Sequence, residues 1–284
     1  MHLPAKGVAY RMKQKRWNGM RRKFGAVTAA AVAVIVLRAG AQEAVPPTAE
    51  ALAAISERGQ LLYEYDQAAW HATDAVQMAN PKTVEGQHCI ARKVNGNWTV
   101  VFGKLHEEGS RFGITYEANE QATLRDFAVR KEPEEREDEG FFLYAARAIE
   151  VATKDFGVVK RPYNVAVLPA RAEQLYVYLY PAQTGARVYP LGGDVRYLVD
   201  ADGTKLLEKR QMHKAITEIA LRPGKRVASG FHTHVLSDLV EDTDVFHVLT
   251  EDPPIPEFIA TPHFLYQVKT DGTIQLEKEK KRRK

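Results

Sequence analysis

Among its 284 residues the chain has one cysteine, Cys89. An intramolecular disulfide is therefore excluded, and stability must come from packing even in a compartment that would permit bridges. The alternation around Cys89 places it on a buried strand, as a small apolar residue. Acidic residues are missing from the first 41 positions, which hold nine basic ones. Long apolar runs are missing too. The longest uncharged stretch, Phe24 to Leu37, has fourteen residues, against the roughly 20 that a membrane-spanning helix needs. Neither a phosphate-cradling glycine loop, nor a Gly-x-Ser-x-Gly elbow, nor a Cys-His pair is present, which removes the common nucleotide-binding and covalent-hydrolase classes. No long internal repeat is evident.

What the N-terminus does contain is ordered like an export signal: a basic leader ending at Lys23, the apolar run to Leu37, and the small-x-small triplet Ala39-Gly40-Ala41. We expect residues 1–41 to be a signal peptide and the folded part to be periplasmic or secreted, with an uncleaved anchor as the lesser alternative because Arg38 sits near the cleavage site. A start at Met20 would give a more compact signal. No Cys follows the triplet, which argues against a lipid anchor. Contact with a membrane is then expected only through this signal.

Without residues 1–41, Lys+Arg falls from 40 to 31 against 36 acidic residues, a net charge of −5. Six further basic residues sit in the C-terminal stretch from Lys278 to Lys284, so the body between is more acidic still. A nucleic-acid binder carries its basic patch on the fold itself, so nucleic acid is not an expected partner. The basic stretch 277–284 reads as a solvated tail.

The expected fold class is α+β. After an extended linker, apolar residues Leu52, Ile55, Leu62, Ala69 and Val76 predict one long helix over 49–79, stopped by Asn80-Pro81. Trp70, His71 and Asp74 cluster on it and read as part of a packed helix. The Asn95-Gly96 turn between alternating runs predicts a hairpin, and 111–116 a third strand, giving an antiparallel meander. The densely charged 130–139 reads as an exposed connection and a soft boundary between a module at 42–130 and a second at 138–276. Within the second, a helix is expected over 138–156 and a short one over 243–249. Strands are expected at 163–168, 175–180, 194–199, 205–209, 227–232, 257–260, 264–269 and 273–276.

The chemistry is concentrated in Gly230-Phe231-His232-Thr233-His234, followed ten residues later by Asp244 at a predicted helix start. Histidines at i and i+2 of an extended segment project to the same face, so their ring nitrogens can converge on one ion. Zinc prefers nitrogen and oxygen ligands, and two His plus one carboxylate leave an open position at which a water can be activated. A bare His-x-His is also common as ordinary polar surface. His213 and His247 lie where either can approach the same ion, but partly buried or surface roles are the commoner ones, and neither is assigned. His263 has no evident partner.

This segment resembles the JAB/MPN family of metal-dependent proteases and isopeptidases, whose pattern is His-[Ser/Thr]-His, a loop, then Ser-x-x-Asp opening a helix. Downstream, Phe258-Ile259-Ala260-Thr261-Pro262, Leu265-Tyr266-Gln267-Val268 and Asp271-Gly272-Thr273-Ile274 are similar to the paired strands after that helix. The resemblance covers roughly 140–276 and implies a mixed sheet with flanking helices. It implies that His232, His234 and Asp244 hold zinc and that an upstream glutamate, Glu173 or alternatively Glu208, polarises the water. The loop is one residue short, Glu241 stands where the serine belongs, and Val235 replaces a common proline. Ser237 or Thr243 could take the serine's part only by rearrangement. The resemblance thus implies an exported zinc-dependent hydrolase of amide or isopeptide bonds acting on a protein or peptide. The alternative is a non-catalytic binding or assembly module on a degenerate version of that fold.

Overall fold

The computed structural model describes residues 44–80, 86–106, 109–221, 224 and 227–279. The expected export signal lies outside these residues, as does the end of the expected basic tail. No helix among the described residues is long and apolar enough to cross a membrane.

Helix α1 (Ala49–Ala79) starts at Thr48, whose Oγ1 accepts the Ala51 N–H at 3.2 Å. It ends at Asn80, which leaves helical geometry while its N–H still reaches the Val76 carbonyl at 2.8 Å. Strands β1 (His88–Val94), β2 (Asn97–Leu105), β3 (Phe112–Glu120) and β4 (Phe127–Asp138) then form an antiparallel meander. Asn95 and Gly96 turn the first hairpin with φ of 52° and 92°, the left-handed pair that matches strand twist.

β4 replaces the expected exposed connection. An edge strand can carry such dense charge: Arg130 and Arg136 both pair with Glu117 on neighbouring β3. Asp138 ends β4 and caps the next helix, α2 (Phe141–Phe156), accepting the N–H groups of Phe142 and Leu143 at 3.0 and 3.1 Å.

Strands β5 (Tyr163–Pro169), β6 (Leu175–Pro181), β8 (Val195–Val199) and β9 (Leu206–Gln211) make a second antiparallel sheet. Between them β7 (Val188–Gly192) pairs with β10 (Ile216–Ala220) as a separate ribbon; neither strand was expected. β11 (Gly230–Thr233) leads through a loop to α3 (Asp242–Thr250). It runs parallel to β12 (Glu257–Ala260), which continues antiparallel into β13 (Phe264–Val268) and β14 (Ile274–Glu279). β14 extends three residues beyond its expected end. The fold is α+β.

Period-two alternation divides the core. Val100 and Phe102 of β2 and Tyr178 and Tyr180 of β6 join Leu62, Tyr65, Ala72 and Val76 of α1. Their neighbours Val101, Val177 and Leu179 join Ala145, Ala148, Ile149 and Ala152 of α2. Both sheets therefore present one face to α1 and the other to α2, and the stretches 42–130 and 138–276 share both apolar clusters. The N-terminal end of α1 lies against α3 instead, where Gly59 permits the approach. A Cβ there would sit 2.4 Å from the Val245 Cβ and 2.6 Å from the Asp242 carbonyl. A smaller cluster, with Leu52, Val245, Val248, Ile259, Phe264 and Tyr266, fills the space under α3.

Candidate metal centre

Three histidines and one aspartate converge where β9, β11 and α3 meet. His232 is in β11 and His234 just beyond it, and alternation along the strand directs both rings to the same side, as expected from their spacing. Asp244 sits in the first turn of α3, with its Oδ2 held by the Glu241 N–H at 2.7 Å. His213, in the turn after β9, completes the group.

The donor atoms are close. His234 Nε2 lies 2.8 Å from His213 Nε2 and 3.1 Å from His232 Nε2. Asp244 Oδ1 is 3.1 Å from the Nε2 of both His213 and His232, and Asp244 Oδ2 is 3.2 Å from His234 Nε2. One ligand-competent atom from each of the four residues lies within 4.8 Å of the others, so the group could hold a metal ion.

Each ring's other nitrogen is engaged outward. His213 Nδ1 meets Asp194 Oδ1, His232 Nδ1 meets Glu257 Oε1, and His234 Nδ1 meets the Leu239 carbonyl, all at 2.8 Å. A carbonyl only accepts, so His234 Nδ1 must carry the proton, and a neutral ring then turns a bare lone pair inward from Nε2. The carboxylates impose the same tautomer on His213 and His232. Inward lone pairs 2.8 and 3.1 Å apart, beside a carboxylate, repel one another unless a cation lies among them. Geometry and donor chemistry thus both fit a metal ion.

In the metal-free protein, protons serve as that cation. Burial disfavours a charged ring, yet Asp244 and Asp194 outweigh it at His213 and push it up to about 11. Burial likewise opposes charge on His232, but Asp244 and Glu257 raise it to about 9. Asp244 is wholly enclosed, which favours a neutral carboxyl, but His234 and His213 hold it well below the usual carboxylate range.

Glu257 reaches His232 because of a glycine. β12 pairs Glu257 with Gly230, and a Cβ at position 230 would fall 1.6 Å from Glu257 Oε2. The missing carbon is the space that the carboxylate occupies.

The two glutamates expected to polarise a water are elsewhere. Glu173 is exposed in the turn between β5 and β6, with a left-handed φ of 61°, and Glu208 is exposed on β9; neither belongs to the converging group. β9 points Arg210 inward instead, and its guanidinium grips Glu241 by two bonds of 2.9 and 2.7 Å. Glu241, at the position of the missing serine, is therefore a buried partner of Arg210. Ser237 shares its one hydroxyl proton between Glu241 and the Leu239 carbonyl, and Thr243 donates to the Met212 sulfur, so both hydroxyls are engaged around the site. His263, without an evident partner in sequence, pairs with Asp238 at 2.7 Å. Asp242, beside the group, accepts from Tyr178 at 2.8 Å, from Arg58 of α1 at 3.0 Å and from Arg196 of β8.

No family model, curated protein or solved structure matches the chain.

Proposed function

We propose that the chain is a metal-binding protein whose three histidines and Asp244 hold one zinc-type divalent cation, in a closed centre that fixes the fold. The observation that carries this is the set of inward Nε2 lone pairs, each locked by an outward Nδ1 partner. Four protein donors are the signature of structural zinc sites, whereas catalytic ones leave a position open. These donors come from three separate structural elements, so a cation bound there contributes folding free energy. The order of a His-x-His strand followed by a helix carrying the aspartate supports descent from a JAB/MPN-like fold in which His213 has closed the open position. The first 41 residues support a place outside the cytoplasm.

A second reading, hydrolysis of an amide or isopeptide bond, is favoured by one observation. The rings of His213 and His232 are the farthest apart, 5.8 Å between centroids against 4.7 and 5.1 Å for the other pairs. They are also the more exposed, at 10% and 14%, against 2% for His234 and 0% for Asp244. That edge is where an outside ligand can approach. A bound zinc supplies Lewis acidity. Among the described residues, two carboxylates beside the group are already paired, Glu257 with His232 and Glu241 with Arg210.

Elemental analysis of protein purified without a metal-affinity column separates these readings. We expect about one zinc per chain, lost in His232→Ala and in His234→Ala, and no cleavage of a peptide library. Metal-free protein from a zinc-replete preparation would sink both readings. Cleavage that disappears in Asp244→Asn would establish the second.

A further inference from the structure

β11 is an end strand of its sheet, with β12 on one side and no strand on the other among the described residues. The Gly230 and His234 N–H groups donate to the Pro256 and Ala260 carbonyls, both at 2.9 Å. In a parallel pair the N–H and C=O of one residue point the same way, and that direction alternates along the strand. Phe231 and Thr233 therefore turn two N–H and two C=O groups away from β12. Phe231 is 65% exposed, so this side of the strand is open to solvent. Val227, Val235 and Leu236 are exposed too, which puts four large apolar side chains on one short stretch of chain.

Strands at sheet ends are usually blunted by charge, proline or a bulge, because an open edge templates further pairing. β4, β9 and β14, which end the other sheet edges, each carry Lys and Glu. β11 is different: residues 227–237 contain no Asp, Glu, Lys, Arg or Pro. This neutrality bears on what pairs there. The body of the chain is acidic, so two copies repel over most of their surface but not along this edge. The free backbone groups also suit a second copy. Under a two-fold axis at His232, Phe231 of one chain faces Thr233 of the other and exchanges both backbone bonds with it. All four outward groups of each chain are then paired. The two Phe231 side chains become diagonal neighbours across the axis, within reach of each other.

We propose that β11 is a self-association edge, through which two copies of the chain pair antiparallel and join their four-stranded sheets end to end. Strand alternation turns the Phe231 and Thr233 side chains away from the histidine group, so the pairing does not depend on what that group holds. An edge this short buries less than the roughly 1,200 Å2 of a standard interface, and the dimer is accordingly concentration-dependent.

Sedimentation velocity of the whole protein from about 1 μM to 1 mM, with amide exchange measured at both ends of that range, tests this. We expect a reversible monomer–dimer equilibrium, and slowed exchange of the Phe231 and Thr233 amides at high concentration only. Phe231→Lys brings two like charges together across the axis and should weaken association by about tenfold or more. Thr233→Pro removes an outward N–H and no bond to β12, and should act in the same direction; Phe231→Lys carries the test alone if that variant does not fold. Met78→Lys, at an exposed site near the end of α1, should change nothing. A chain that stays monomeric at the highest concentration, a dimer whose two amides exchange freely, unchanged association in Phe231→Lys, or equal weakening by Met78→Lys would overturn the proposal. Protection of the two amides only on adding a foreign extended peptide would overturn it too, by giving the edge to another partner.

Discussion

The two ends of α1 lie in regions held together by different forces. From Leu62 to Val76 the helix packs on two sheets through Tyr65, Ala68 and Ala72, against fully buried partners such as Val100 and Phe102. From Leu52 to Gly59 it meets α3, where the apolar cluster is smaller and the buried inventory is polar: Asp242, Asp244, Glu241, His234 and Glu257 are each no more than 5% exposed. The first region is stabilised by area removed from water. The second must satisfy every charge it buries, because one unpaired buried charge costs more than a well-packed apolar side chain returns. Under the proposed function, a region built this way depends on its cation as the other depends on its methyl groups.

The sharpest way to test that contrast is to damage each region with and without metal. Phe102→Ala should cost about 3–5 kcal/mol of unfolding free energy, as large-to-small changes in closed cores do. The cost should be the same in chelator as in zinc, and a denaturant series that finds it metal-dependent would break the comparison. His234→Ala should behave oppositely. With zinc at 100 to 1,000 times its dissociation constant, about 3–4 kcal/mol of linkage stabilisation is lost, and far less after chelation; equal losses in both conditions would show that no cation contributes.

Gly230→Ala should be milder. The added carbon displaces Glu257 from His232 and so disturbs an outer partner, not a donor. Zinc affinity should fall about 10- to 100-fold, which competition with a fluorescent chelator can read; an unchanged affinity would mean that the glutamate does not orient the ring.

The smallest effect is in pH, and its sign separates the metal-free and metal-bound forms. His213 is raised above its ordinary value, so its contribution to the metal-free fold is complete below about 6.5 and fades as pH climbs toward about 11. Asp244 is depressed, so its contribution is present above about 4 and fades as pH falls further. Metal-free stability should therefore decline from neutral to alkaline pH. The increment from zinc should rise over the same range, because the donors must be deprotonated to bind. Parallel profiles for the two forms would contradict the assignment.

Much of this was legible in the sequence. The boundaries of α1, the Asn95-Gly96 hairpin and β12 follow from periodicity and turn chemistry alone. The convergence of His232, His234 and Asp244 follows from strand alternation plus a helix start. What escaped depends on partners far along the chain. β4 was hidden because its charges suit an edge that only the assembled sheet defines, and β7 because Pro190 interrupts its pattern and Gly192-Gly193 cuts it short. His213 stands alone after β9, and nothing nearby marks it as a donor. Asp194 and Glu257 become the outer partners of His213 and His232 through strand pairing, which local sequence does not encode. Glu173 and Glu208 were placed by resemblance, and the path of the chain between β5 and β9 leaves both in solvent.

The vacancy at Gly230 also gives a rule for recognising kin. Because the Glu257 carboxylate occupies the volume of an absent methyl group, a chain carrying the same arrangement needs Gly-x-His-x-His, not His-x-His alone, and a glutamate on the parallel strand in register with that glycine. The longer pattern joins two stretches 27 positions apart and can be sought where overall similarity has faded.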